Sequence, residues 1–91
     1  MKDLSLEQMK HLRKKLEEYI ENFQNKKDIN ATRERALTLF STIFGDNSSE
    51  YKRFRDIGFS SWASKDYTND DIVSFVNQIQ GILDSFDVIG N

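Results

Sequence analysis

The sequence predicts an all-α fold, a four-helix antiparallel bundle with a short third helix. The 91 residues contain no proline and only four glycines, so few positions interrupt a helix. Apolar residues recur at steps of three and four in four separate segments, which is the spacing of helices that each bury one face. Short links between such helices favour antiparallel neighbours. We therefore expect residues 1–91 to form a single helical domain.

The first helix is expected from about Leu6 to Asn25. Ser5 is placed to cap it, and Gln8 three residues later completes a capping-box pattern. The apolar stripe of this segment consists of Met9, Leu12, Leu16, Tyr19, Ile20 and Phe23.

The second helix is expected from about Ala31 to Phe44, with Asn30 as its cap. Gly45 supplies a left-handed residue that ends a helix at little cost. The charged residues Arg33–Arg35 are expected to form an outward-facing first turn. The apolar stripe consists of Ala36, Leu37, Phe40, Ile43 and Phe44, with Leu39 on its flank.

The third helix is expected from about Ser48 to Ile57, capped by Asn47 and ended by Gly58. The fourth begins after Thr68, whose capping role is supported by Asp71 three residues on. The apolar positions of these two helices are Tyr51, Phe54, Ile57, Ile72, Phe75, Val76, Ile79, Leu83 and Phe86, with Ile82 widening the last stripe.

The two long helices, the first and the fourth, are expected to form the walls of the bundle. The second is expected to lie between them, and the third to close one end. Large apolar residues near the middle of each stripe should then be fully enclosed. We expect Leu16, Phe40, Phe54 and Phe75 all to be buried.

Composition narrows the possible functions. The chain has no cysteine, which excludes disulfides, thiolate metal sites and thiol catalysis. His11 is the single histidine and lies off the apolar stripe, so an ordinary surface histidine is expected. No arrangement of residues matches a phosphate-binding loop, a calcium loop or a nucleophile turn. We expect no enzymatic activity, no metal and no cofactor.

Charge is distributed unevenly along the chain. The net charge is −2, which argues against a dedicated non-specific nucleic-acid binder. Nine of the thirteen cations nevertheless precede Ala36, and none follows Lys65. This asymmetry is compatible with a basic first helix beside an acidic last one, and also with a basic patch that binds an acidic partner. The N-terminus lacks an apolar signal region and no stretch is apolar enough to span a bilayer, so a cytoplasmic location is expected.

Four residues are the candidate partner-binding positions: Trp62, Lys52, Arg53 and Arg55. Tryptophan and arginine are enriched among the residues that dominate protein interfaces. Trp62 lies on the link before the fourth helix, where it either folds over one end of the bundle or anchors a partner. Leu39 and Ile82 widen two stripes beyond what the core requires, which makes a helix-face interface or a homodimer a further possibility.

The segment Phe44–Phe59 resembles a pattern found in other proteins. Its glycine, serine and aromatic positions follow the order Phe-Gly-x-x-Ser-x-x-Tyr-x-x-Phe-x-x-Ile-x-Phe. This is similar to helical segments of uncharacterised or defence-related bacterial proteins, where such a segment accompanies a separate effector or nucleotide-binding domain. The resemblance implies a bacterial or phage-borne cytoplasmic accessory module. It carries over no catalytic residue.

The leading functional hypothesis is a non-enzymatic protein-interaction or regulatory module that docks onto a protein partner or onto itself. One alternative is a nucleic-acid-binding protein of the helix-turn-helix type, with Lys52, Arg53 and Arg55 entering the major groove. Another is a small acidic inhibitor or immunity-type protein that covers a basic site on a toxin or nuclease, which the acidic last helix suggests. No membrane partner is expected.

Overall fold

The predicted all-α fold is confirmed. The computed structural model describes residues 5–58 and 67–90, the last five of these by their backbone alone. The described ranges form four helices: α1 Leu6–Gln24, α2 Ile29–Phe44, α3 Ser49–Asp56 and α4 Asn69–Gly90. Phe59, Trp62 and the side chain of Phe86 lie outside the described part of the chain.

The N-termini of α1 and α4 carry the capping boxes that the sequence predicts. The Ser5 hydroxyl accepts from the backbone N–H of Gln8 at 3.1 Å, and the Gln8 side chain accepts from the N–H of Ser5 at 2.9 Å. Thr68 and Asp71 form the same reciprocal pair at 3.1 and 3.0 Å. Each pair satisfies two N–H groups that the helix itself leaves without partners.

A short turn of residues 25–28 joins α1 to α2. Lys26 adopts a positive φ of 55°, and two reverse hydrogen bonds close the end of α1, Lys26 N–H to the Phe23 carbonyl at 3.1 Å and Lys27 N–H to the Asn22 carbonyl at 2.8 Å. This is a Schellman arrangement built without glycine. It allows the chain to re-enter a helix almost at once.

The start of α2 was predicted wrongly. The helix begins at Ile29 rather than Ala31, and its cap is Asp28, which has a left-handed backbone and no capping side-chain bond. The Asp28 carbonyl accepts from the N–H of Thr32 at 2.8 Å, so helical bonding is already present there. Ile29 is half-buried against the core, and this apolar contact rather than a cap accounts for the earlier start.

The start of α3 also differs from the prediction, because Ser48 and not Asn47 caps it. The Ser48 hydroxyl accepts from the Tyr51 N–H at 3.1 Å and donates to the Gly45 carbonyl at 2.7 Å. One side chain therefore joins the end of α2 to the beginning of α3. Gly45 has a φ of 91° with an extended ψ of 156°, so it is not the left-handed residue expected, whereas Gly58 has a φ of 68°.

The order of packing differs from the expectation that the second helix lies between the two long ones. α1 makes its most extensive contacts with α4 and a second set with α2, while α3 packs on α2. The helix that lies between two neighbours is therefore α1. One side of α1 packs on α4, and another meets α2 along a separate seam, where the Asn22 amide donates to the Thr32 hydroxyl at 3.3 Å.

Aromatic side chains from all four helices form the centre of the core. Leu16, Phe40, Phe54 and Phe75 are fully buried, as predicted. The Phe54 ring lies 5.0 Å from both the Phe40 and Phe75 rings and 6.4 Å from Phe23, measured between centroids. Phe54 thus connects the short α3 to the other three helices.

Candidate functional site

The seam between α1 and α2 opens to the surface as an elongated groove, called here the α1–α2 groove. Its larger part has a volume of about 760 Å³ and an apolar floor of Leu12, Leu39 and Ile43. A smaller part of about 430 Å³ continues along the same seam, shares Leu39 with the first and reaches Tyr19. The groove therefore follows most of the length over which α1 and α2 run side by side.

The apolar floor arises because one leucine on each helix is only partly covered by its neighbours. Leu12 and Leu39 are only half-buried, yet both pack against the enclosed core. Ile43, at 5% exposure, lies beneath them. The hydrophobic core thus extends to the surface at this seam. Ile82, the other residue expected to widen a stripe outward, is buried in the core instead and provides no surface.

The α2 wall of the groove carries Thr38 and Thr42, whose hydroxyls bond within the helix. Thr38 donates to the Glu34 carbonyl at 3.0 Å and Thr42 donates to the Thr38 carbonyl at 2.9 Å. Both hydroxyl hydrogens are therefore already satisfied by the backbone one turn earlier. An apolar surface can cover this wall without leaving an unpaired donor.

The rim of the groove carries more cations than anions. Lys10 and Lys14 border the larger part, and Lys15 and Arg35 border the smaller part. Within residues 5–58 and 67–90, the three lysines form no ion pair within 4 Å. This local positive charge contrasts with the net charge of −2 for the whole chain.

Two carboxylates, those of Glu7 and Glu34, also lie along the groove. Glu34 is paired with the guanidinium of Arg33 at 3.4 Å, which offsets its charge. Burial raises the pKa of Tyr19 at the far end of the groove, while the nearby Arg35 acts to lower that pKa. The phenol of Tyr19 is thus neutral at physiological pH and extends the weakly polar floor.

Arg33 was expected on an outward-facing turn, and this expectation is wrong. The residue is 5% exposed, its Nη2 donates to the Arg55 carbonyl at 3.0 Å, and its guanidinium lies 5.9 Å from the centre of the Tyr67 ring. These contacts join α2 to the end of α3 and to the residue that precedes the α4 cap. Arg33 lies three residues before Ala36 and four before Leu37, so it is on the buried face of α2. Because the residue is charged, the apolar pattern of the sequence does not reveal this position.

The cationic residues predicted to bind a partner are placed together on α3. Lys52 and Arg53 are exposed. Arg55 is 49% exposed, its Nε donates to the Asp56 carboxylate at 3.2 Å, and its guanidinium lies 6.0 Å from the Tyr51 ring centre. Their role in partner binding and the alternative nucleic-acid role stay predictions, and Trp62 lies outside the described residues.

His11 is exposed, as expected, and lies at the edge of the α1–α2 groove. In the part of the chain that the structure describes, no three His, Cys, Asp or Glu side chains are grouped so that they could hold a metal ion. The described helices include none with the length and apolar character needed to cross a membrane.

Comparison of the chain with protein-family models, with curated proteins and with solved structures gave no match. The features that bear on function are therefore those of the molecule itself. Of these, sequence reasoning had identified Leu39 as a candidate interface residue but not Leu12, Lys10 or Lys14. The signal that could have found them is a lysine pair four residues apart beside a leucine on the edge of the first apolar stripe.

Proposed function

We propose that this domain is a non-enzymatic protein-interaction module that binds a helical segment of a protein partner in the α1–α2 groove. The observation that carries the proposal is the open apolar floor of Leu12, Leu39 and Ile43. A concave apolar surface flanked by polar residues is the usual form of a site that receives an amphipathic helix.

The dimensions of the groove support a helix as the bound element. The groove follows α1 from Glu7 to Tyr19, and the twelve steps between these residues correspond to a length of roughly 18 Å at about 1.5 Å per residue. About three turns of a partner helix cover this length and present apolar side chains at i, i+3 or i+4, and i+7. Two connected depressions along the seam suit such a row of anchors.

The backbone of the groove is held in place before any partner arrives. α1 is anchored to α4 along its other side, and α2 is joined to α3 through Ser48 and through the Arg33 contact with the Arg55 carbonyl. A preformed site lowers the cost of ordering on binding. The same rigidity favours recognition of a partner by fit to the groove.

A photo-crosslinking amino acid placed at individual sites tests this proposal in the cells that produce the protein. It replaces Thr42, which lies in the groove, or Val73, which is 55% exposed on α4 and serves as the matched control. A third variant carries it at Arg53 on α3. Circular dichroism verifies that each variant is folded.

The proposal predicts an adduct with a distinct protein at position 42, no such adduct at position 73, and loss of the adduct when Leu39 is replaced by a polar residue. A crosslink at position 53 alone would move the binding surface to α3, as the sequence suggested. Equal labelling at all three positions, or labelling at none, would contradict the groove as the interaction site.

A further inference from the structure

From the charges on its rim, we infer that the α1–α2 groove receives an acidic amphipathic helix of another protein. This inference rests on the proposed function and specifies the chemistry of the partner. The helix places apolar side chains on the floor of Leu12, Leu39 and Ile43 and carboxylates along the lysine-bearing edge.

The spacing of the lysines defines what the partner must offer. Lys10 and Lys14 lie at i and i+4 on α1, so they are neighbours on one face and about 6 Å apart along the axis. A partner helix that carries Asp or Glu at i and i+4 beside its apolar stripe can meet both ammonium groups at once. Neither lysine has an ion-pair partner among the described residues, so no existing pair must be broken.

Lysine also suits the boundary between the floor and the solvent. Its aliphatic stem covers apolar surface while the ammonium group stays in water, so Lys10, Lys14 and Lys15 can extend the apolar contact and still pair with carboxylates. Arg35 adds a fourth cation near the Tyr19 end of the groove. Opposite charges arranged in this way speed the encounter and select the partner more than they raise affinity.

A second copy of this chain fits the groove less well. Its α4 is acidic and carries no lysine or arginine, which would complement the rim. However, the large apolar side chains that are exposed in the described ranges are Leu6 and Val73, on different helices. Among the side chains that the structure describes, neither helix therefore offers the row of apolar anchors that the floor requires.

A nucleic acid is also a poor occupant of this surface. Phosphates and sugars are polar, so covering the apolar floor of Leu12, Leu39 and Ile43 with them would be unfavourable. An acidic peptide uses both the floor and the lysines.

Three fluorescent peptides of about 16 residues test the inference, a length at which helices begin to form in water. They share one stripe of leucines and differ at the flanking positions, which are Glu, Gln or Lys. Fluorescence anisotropy measures their affinity for the full chain at low and at high salt. We expect the Glu peptide to bind about two- to thirtyfold more tightly than the Gln peptide, since two exposed ion pairs are gained, and the Lys peptide to bind most weakly.

A charge-reversal variant provides the decisive comparison. In the double variant Lys10→Glu and Lys14→Glu, the preference should reverse so that the Lys peptide binds more tightly than the Glu peptide. The matched control, Lys52→Glu with Arg53→Glu, changes the net charge by the same amount on α3 and should retain the original order. Added salt should reduce the affinity of the Glu peptide and leave that of the Gln peptide nearly constant.

The outcomes separate this inference from the proposed function. If the three peptides bind equally and Thr42→Tyr, which fills the groove, abolishes all binding, the groove is a docking site but its acidic preference is wrong. If the control variant rather than the groove variant reverses the order, the acidic segment binds α3 and the inference fails. If no peptide binds while crosslinking at position 42 yields a dimer of this chain, the occupant is a second copy and the inference is overturned.

Discussion

Replacing Phe54 by alanine tests how the core is held together. Phe54 is fully buried and its ring contacts those of Phe23, Phe40 and Phe75, which belong to three other helices. Truncating a buried phenylalanine costs about 3–5 kcal/mol, and the ring contacts favour the upper part of this range. For 91 residues the total stability is roughly 5–14 kcal/mol, so the loss is a large part of it.

Chemical denaturation monitored by circular dichroism measures this loss, with Phe44→Ala as the matched control. Phe44 is half-buried and, among the described residues, contacts one ring, that of Phe40, at 6.1 Å. We expect Phe54→Ala to lower the free energy of unfolding by about 4 kcal/mol, and to lower Tm by roughly 15–30 °C if folding remains two-state. The control should lose about 1–2 kcal/mol. Equal losses in the two variants would refute the placement of Phe54 at the centre of the core.

Four further predictions concern the backbone and the titration of the domain. Gly81→Ala should raise the free energy of unfolding by about 0.5–1 kcal/mol, because nothing lies within 4 Å of a Cβ there and alanine favours the helix. Gly58→Ala should lower the free energy of unfolding, because φ is +68° and the added Cβ would come within 2.7 Å of the Tyr67 ring. If urea denaturation showed both alanine variants to be more stable than the original protein, the described surroundings of Gly58 would be contradicted. Lys26→Gly should raise the free energy of unfolding by up to about 1 kcal/mol, because glycine adopts the left-handed conformation of this residue without strain. An unchanged or lower denaturation midpoint would argue against the Schellman turn. Burial raises the pKa of Tyr67 above 10.0, partly opposed by Arg33, so its contribution to stability is complete below pH 10.0 and is lost as pH rises through the folded-state pKa. The phenolate absorbance titration should show a late component to which Tyr19 and Tyr67 both contribute and which decreases in Tyr67→Phe. An identical late component in the two proteins would contradict a raised pKa for Tyr67.

Much of the fold follows from local sequence rules. The capping boxes at Ser5 and Thr68 need only four consecutive residues, and the burial of Phe40, Phe54 and Phe75 follows from helical spacing. Errors occur where a tertiary contact overrides a local preference. The contact between Ile29 and the core makes α2 begin earlier than predicted. No capping residue in the sequence indicates this contact.

The order of the helices and the candidate site are less accessible to sequence reasoning. Arg33 occupies an apolar stripe position, but its burial depends on a carbonyl of α3 and on the Tyr67 ring, which only the folded chain brings near. The α1–α2 groove likewise depends on α1 being the shared neighbour of α2 and α4. Apolar periodicity places Leu12 in the first stripe and Leu39 on the flank of the second, but it cannot tell which helix lies beside each of them.

An NMR titration of the isotope-labelled chain with the Glu-flanked peptide shows where on the domain the peptide binds. We expect the backbone resonances of Leu12, Leu39, Thr42 and Ile43 to shift progressively and to saturate together, while that of Val73 on α4 remains unchanged. Shifts confined to α3, or shifts spread evenly over all helices, would contradict the claim that the α1–α2 groove is where this protein binds its partner.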